Sequence, residues 1–399
     1  MVSNLAHTIR LYPTRSQETF FKKACGCARV AYNYGLGEYK KQLDAGQKPK
    51  VFDIKKQFNQ EKKTLYPWMS ETNKDANQQP FTNLHSAFNR FFKKQGGFPA
   101  FKKKGTKDSF YISNDKFGVE DQKFWVPKLG WVKGAEALRF KGKITSATIK
   151  RKANYWFVVV SIETENTHTA CENQAVVGVD LGIKTLATLS DGKVIESVNP
   201  LRRRLGKLKL LQRWLSRKVK RSSNRRKAIQ RVSKIHYEVA CLRKDILDKL
   251  TTYLCENYQF VCVEDLNVSG MVKNHKLALS ISDMGFAEFR RQLEYKSILN
   301  GNTLIFADRW FPSSKTCSGC GAVKETLLLS ERDYICEKCG LVIDRDLNAA
   351  INLRNYGLKQ LRAVSPEVTP VEMEALACRA ASETTVDEAG ISKCSVMNT

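Results

Sequence analysis

No apolar run in the 399 residues approaches the roughly 18 to 20 that a membrane span requires, and no lipidation motif is present. The opening residues, MVSNLAHTIRLYPT, lack the apolar core of a signal peptide. These absences argue against membrane attachment and secretion, and lead us to expect a cytoplasmic protein in a reducing compartment, where disulfides do not persist. Acid is scarce as well: 40 Asp and Glu face 67 Lys and Arg, a net charge of +27. Such an excess repels itself unless a polyanion neutralises it. With the membrane signals missing, nucleic acid rather than anionic lipid is the expected polyanion. Glycine and proline are not enriched, and 42% apolar residues are enough to bury the cores of two or three domains.

The twelve cysteines are therefore read as thiols. Cys25, Cys27, Cys171, Cys241, Cys255, Cys262, Cys378 and Cys394 show no ligand spacing and are expected as core fillers or bystanders. The other four form Cys317-x2-Cys320-x15-Cys336-x2-Cys339, the spacing of a four-thiolate zinc site, with Gly319, Gly321 and Gly340 available for the tight turns. A closed site of four sulfurs leaves no position for water. One structural zinc is expected there, and the chemistry must lie elsewhere. The ribbon is either a staple alone or a staple that also touches nucleic acid.

Periodicity orders the rest. Residues 7 to 13 alternate as a strand, and Thr14 with Gln17 has capping-box spacing ahead of a helix bearing Phe20, Phe21, Ala24, Ala28 and Ala31. A second helical face carries Leu84, Phe88, Phe91 and Phe92 and ends at Gly96-Gly97, before a basic loop at Lys102 to Lys104. From about 109 to 163 the period becomes two, with strands at Phe124 to Val126, Trp131 and Tyr155 to Ile162. No catalytic constellation occurs in this half, so binding is its expected role. A new unit opens at Val176 to Asp180, runs through Lys184 to Ser190 and turns at Asp191-Gly192. A helical stretch follows from about 200 to 257, then the apolar strand Phe260 to Val263. The final 35 or so residues have little periodicity and are expected to be disordered.

Three acids stand at the ends of these core elements. Asp180 ends one apolar strand at a turn flanked by Gly178 and Gly182, Glu264 ends another, and Asp346 opens a helix, where amide dipoles favour a carboxylate. Singly, each has a bland reading: a turn Asp, an exposed strand-end Glu, a helix-capping Asp. Together, in a strongly basic chain, they form the hard oxygen donor set that magnesium requires near phosphate. The phosphate-binding surface is expected between residues 197 and 237, which hold fifteen Lys or Arg and no Asp or Glu. Arg202, Arg203, Arg204, Arg217, Lys218, Arg225, Arg226 and Lys227 are its candidate contacts, while Leu205, Leu208, Leu211 and Leu215 recur at helical spacing to pack the other side. A merely soluble basic helix is the alternative.

Val177 to Gly182, Val263 to Asn267, Pro312-Ser313-Ser314-Lys315 leading into the cysteines, and Asp344 to Asn348 together resemble the TnpB (OrfB) family, transposon-encoded RNA-guided nucleases related to the type V CRISPR effectors. The resemblance spans about residues 7 to 355, including Leu11-Tyr12-Pro13, Gln17 and Arg29-x-x-Tyr32-Asn33, and says least about the tail and the loop from about 66 to 80. It implies an α+β multidomain protein. Residues 1–170 would be a wedge-like β-barrel with a helical recognition insert at about 14–105. The remainder would be an RNase H-like RuvC fold, 171–308 and 343–362, interrupted by the zinc ribbon at 309–342 and followed by the tail at 363–399. It further implies that Asp180, Glu264 and Asp346 are the catalytic triad, with Asp346 preferred over Asp344 as the second acid of the Asp-x-Asp-x-Asn pattern. Two magnesium ions about 3.5 to 4 Å apart would activate water and stabilise the leaving oxygen. The implied partners are a guide RNA from the transposon end and double-stranded target DNA, the protein reading only a short target-adjacent motif. The oligomeric state is left open. An RNA-guided repressor that does not cut, or a transposase accessory protein, are the competing readings.

Overall fold

The computed structural model describes residues 2–165, 173–328 and 330–364, and the chain forms two compact units, residues 1–166 and 167–399. The boundary expected near 170 and the tail from 365 onward lie outside the described residues. No helix among those described is long and apolar enough to cross a membrane.

In the first unit, strand β1 (Val2–Leu11) leads into helix α1 (Arg15–Asp44). The capping box is formed: the Gln17 amide donates to the Thr14 hydroxyl at 3.3 Å, and the Thr14 amide donates to the Gln17 side chain at 3.0 Å. Helix α2 (Val51–Leu65) is absent from the periodicity reading above, although Val51, Ile54 and Phe58 are its buried residues at helical spacing. A 3₁₀ turn at Pro67–Glu71 and helix α3 (Asp75–Phe92) occupy the stretch about which the resemblance says least. Leu84 and Phe88 are buried as their face requires, whereas Phe92 is exposed.

Strands β2 (Ser109–Ser113), β3 (Gly118–Glu120), β4 (Lys123–Val126), β5 (Gly130–Lys133), β6 (Lys143–Lys152) and β7 (Tyr155–Glu165) complete this unit. They do not close into a barrel among the described residues. One antiparallel sheet has the order β1-β7-β6-β2 and a second the order β3-β4-β5. A single bridge, Leu11 to Gly134, links β1 to the segment after β5, and no ladder joins β2 to β3. The three-residue β3 follows β2 directly after a 3₁₀ turn, so the edge that would have to seal the barrel is too short to do so.

The second unit begins with an antiparallel meander, β8 (Val176–Leu181), β9 (Thr185–Leu189) and β10 (Val194–Glu196). Helices α4 (Pro200–Ser216) and α5 (Ser223–Asn257) follow as a hairpin rather than one continuous helix. Then come β11 (Phe260–Glu264), α6 (Val268–Met271), α7 (Ala278–Met284), α8 (Phe286–Asn300), β12 (Thr303–Ala307), the small hairpin β13 (Asp333–Ile335) and β14 (Val342–Asp344), and α9 (Arg345–Val364). The sheet order is β10-β9-β8-β11-β12, with β11 parallel to both β8 and β12. Side chains alternate across it. Val177, Val179, Val261 and Val263 share one core with Leu250 and Leu254 of α5 and Phe289 and Leu293 of α8. The opposite face carries α9.

Gly178 makes that second layer possible. A Cβ placed on it would lie 2.0 Å from the Ala350 carbonyl oxygen and 2.4 Å from the Arg354 nitrogen, so the α9 backbone rests directly on the strand. Gly178 is therefore a packing glycine in mid-strand, not part of a turn as its flanking position suggested. From the helix side Gly357 makes room for sheet side chains, a Cβ there meeting those of Cys262 and Val176 at 3.2 Å. Because both obstructing groups at Gly178 are backbone, Gly178→Ala is expected to cost about 3 kcal/mol or more in chemical denaturation. Gly206, mid-helix in α4 with nothing within 4 Å of its added Cβ, provides the control: Gly206→Ala should gain about 0.5 to 1 kcal/mol. Similar small effects for both would show that α9 does not depend on the contact.

Candidate active site and metal centre

Register places two of the three acids side by side. Val179 pairs with Val263 across the parallel β8 and β11 ladder, so Asp180 and Glu264 are the next residue on each strand. Gly178 and Cys262 are also partners, and both meet α9. Two residues further on, Asp180 and Glu264 must emerge on that same face. The third acid comes from the helix. Ala350 covers Gly178 while Gly357 lies further back over Val176, so α9 runs opposite to β8. Asp346, one helical turn before Ala350, is thereby carried toward the strand ends.

The electrostatics agree with this placement. Burial pushes the Asp180 carboxyl well above the ordinary carboxylate range, and Glu264 and Asp346 raise it further, with Arg345 opposing. Glu264 accepts a hydrogen bond of 2.5 Å from the Ser313 hydroxyl. Asp344 is employed differently. Its Oδ1 accepts from the amides of Asp346 at 2.9 Å and Leu347 at 3.0 Å, so it caps α9 and frees the Asp346 side chain from that duty.

The four cysteines form the one group of three or more His, Cys, Asp or Glu, among the described residues, whose ligand atoms all lie within 4.8 Å of one another. Cys317 and Cys339 bring their sulfurs to 3.6 Å, as do Cys320 and Cys336. A tetrahedron of zinc–sulfur bonds of about 2.3 Å has edges of about 3.8 Å, so the donor set fits zinc. Two equivalent turns build it. The Gly321 amide donates to the Cys317 carbonyl and the Gly340 amide to the Cys336 carbonyl, each at 2.9 Å, with both glycines left-handed at φ 76° and 74°. The Cys339 backbone helps to lower the Cys336 thiol to about 6. Cys339 is pushed up to about 12: the Leu341 amide lowers it, but the three neighbouring sulfurs prevail. Four sulfurs this close could all ionise only around a cation. Of the remaining cysteines, Cys25, Cys27, Cys255 and Cys262 are buried and Cys241 is exposed, while Cys171, Cys378 and Cys394 lie outside the described residues.

Helix α9 also holds the start of the zinc module. The Asn348 side chain, fully buried, accepts from the Ser318 amide at 3.0 Å and donates to the Thr316 carbonyl at 2.7 Å. Asn352, one turn later, donates to the Ser313 carbonyl at 2.7 Å and the Thr316 carbonyl at 2.6 Å. Ser313 and Asn352 were not among the expected site residues. The visible signal was the pair of asparagines four apart on an otherwise apolar helical face.

A family model described as "Probable transposase", of the OrfB type, matches residues 158–275, a "Cas12f1-like, TNB domain" matches 286–353, and a "Helix-turn-helix domain" matches 1–48. A "Putative RNA-guided DNA endonuclease" of Streptomyces pristinaespiralis is 36% identical over 362 residues, covering 88% of this chain and 89% of that protein. The chain belongs to the TnpB (OrfB) family. Another similar protein, the "Putative RNA-guided DNA endonuclease InsQ" of Escherichia coli, is 31% identical over 88% of this chain and 92% of its own length. Among solved structures, the protein of a Cas12f1-sgRNA-target DNA complex shares the fold with a TM-score of 0.54 at 16% identity, covering 85% of this chain and 83% of that one. In this TnpB family member the helix-turn-helix match falls on a strand, β1, and one 30-residue helix, α1.

The basic segment folds as the α4–α5 hairpin around Leu208, Ile235 and Val239. Arg202, Arg203, Arg217, Lys218, Arg226 and Lys227 point into solvent. Arg204 and Arg225 are committed elsewhere. Arg204 pairs with Glu238 at 2.8 Å, and the Arg225 guanidinium donates to the Leu215 carbonyl at 2.9 Å, closing the end of α4. Arg225 therefore has a structural duty that its sequence context did not reveal.

If four thiolates hold one zinc, binding energy there is folding energy. Cys317→Ser or Cys339→Ser should lower zinc content and melting temperature together. Freshly purified, folded wild-type protein with under about half an equivalent of zinc by elemental analysis would refute the site.

Proposed function

We propose that the chain is an RNA-guided DNA endonuclease that cuts DNA at one RuvC-type site formed by Asp180, Glu264 and Asp346. The observation that carries this reading is the convergence of those acids on one sheet face while Asp344 is diverted to capping. The order β10-β9-β8-β11-β12, with three antiparallel strands followed by two parallel ones, supports an RNase H-like frame for them. Two magnesium ions held by these oxygens would supply an activated water and stabilisation of the leaving oxygen. In this reading β8 and β11 would position two of the ion ligands and α9 the third, with Ser313, which donates to Glu264, orienting its carboxylate.

The exposed face of the α4–α5 hairpin would neutralise phosphates of a transposon-derived guide RNA or its heteroduplex with target DNA. The first unit, read as a wedge-like region with its helical insert α1 to α3, would contribute to reading a motif beside double-stranded target. A reducing cytoplasm keeps the zinc thiols available. A repressor that occupies DNA without cutting has no use for three crowded carboxylates, and an accessory to transposition needs no guide.

Asp180→Ala, Glu264→Ala and Asp346→Ala should each abolish cutting by the guide-loaded protein while DNA binding stays near wild type, and Asp344→Ala should retain activity at reduced stability. Near-normal cutting by Asp346→Ala beside an inactive but folded Asp344→Ala would reverse the assignment of the third acid.

Neutralising Arg217, Lys218, Arg226 and Lys227, with Arg225 left in place to close α4, should weaken RNA binding. It should also flatten the salt dependence by somewhat under one unit of slope per lost phosphate contact. Unaltered affinity and slope in a folded variant would move the RNA contact off this hairpin.

A further inference from the structure

Trp310 is 86% exposed, more than any other large apolar side chain described. A single exposed apolar side chain is ordinary on a protein surface; this one is set apart by its place and by a backbone held on every side. The Trp310 amide donates to Asp308 Oδ1 at 2.8 Å and the Phe311 amide to the Asp308 carbonyl at 3.0 Å. The preceding residue, Arg309, is tied through its guanidinium to the Asp265 carboxylate, itself bridged by Arg290. The following residue, Phe311, packs at a tilt against Tyr356 of α9 with ring centres 4.9 Å apart. Only the indole has no ring, cation or side-chain hydrogen-bond partner among the described residues.

Its position is equally specific. Asp265 is the residue after Glu264, and Ser313, three residues beyond Trp310, donates to Glu264 itself. Three residues of extended chain reach about 10 Å, so the Trp310 backbone lies within about that distance of the Ser313 backbone, whose hydroxyl holds Glu264. Resting on the endonuclease reading above, we infer that Trp310 is a stacking platform for a nucleobase of the DNA strand entering the acid site. Arg309 and Arg290, with their charges already taken by Asp265, leave the indole's π-face as the available contact. Every base offers a π-face, so such a platform seats a strand without reading its sequence.

The test compares Trp310→Ala, Trp310→Phe and Trp310→Leu in guide-loaded protein. A lost base-stacking contact should lower kcat/KM for DNA cutting by roughly five- to 150-fold in the alanine variant. The phenylalanine should recover most of that loss and the leucine little of it, with melting temperatures unchanged. A 2-aminopurine placed near the cut should be quenched in the wild-type complex and bright in the alanine one. Cutting by the wild type together with an unchanged kcat/KM in Trp310→Ala would overturn the stacking inference alone, as would leucine recovering activity as well as phenylalanine. A changed oligomeric state in Trp310→Ala, accounting for lost cutting, would assign the ring to a protein contact instead and equally overturn it. Wild-type protein that cuts no guided DNA would remove the endonuclease reading, and this inference with it.

Discussion

The second unit depends on a contact made by the absence of a side chain. At Gly178 the α9 backbone meets the β8 backbone with no Cβ between them, and at Gly357 the helix leaves room for the Val176 and Cys262 side chains of the sheet. A helix held off the sheet by ordinary side chains sits about 10 Å away; one seated on glycine comes closer and loses the freedom to slide or roll. Everything at the strand ends follows from that fixed height. Asp346 is carried toward Asp180 and Glu264 because it lies one turn from the residue that touches Gly178. The backbone cost of two glycines is recovered by a placement no flexible loop could hold.

The same closeness makes the site electrostatically unfavourable when bare. Burial and two neighbouring carboxylates drive Asp180 upward in a chain whose net charge is +27. Acid is concentrated where cations would be held, and base is spread where phosphates would lie. Asp283 sharpens this division. It is buried, accepts from the Leu201 and Arg202 amides at the start of α4, and pairs with Arg243 at 3.2 Å. A free helix N-terminus attracts anions. Here the chain's own carboxylate occupies it, so the α4 N-terminus offers no free amides to an anion.

Much of this was legible in the sequence because local rules are local. The Thr14 and Gln17 cap, the strands ending in Asp180 and Glu264 and the paired cysteines each declare themselves within a few residues. What escaped depends on partners distant in the chain. Gly178 beside Asp180 looks like a turn glycine until residue 350 is known to cover it, and Arg225 looks like a phosphate ligand until Leu215 turns back toward it. Helix α2 escaped for another reason: with Lys and Gln between its three buried residues, its apolar stripe is narrow. The two open sheets of the first unit could not be told from a barrel by alternation alone, since alternation fixes faces and not which edges meet.

Chain order explains why a zinc module sits between Glu264 and Asp346. A long insertion between two residues that must meet loosens them, because its ends can wander. This insertion is anchored at both ends. Its entry segment is held by Asn348 and Asn352 of α9 and reaches Glu264 through Ser313, while its exit strand β14 runs into the Asp344 cap. The Cys317 and Cys339 sulfurs, 3.6 Å apart, bring entry and exit together. The path from Glu264 to Asp346 is then a circuit of hydrogen bonds closed by the paired Cys317 and Cys339 sulfurs, so the cysteine cluster ties Glu264 and Asp346 to one register.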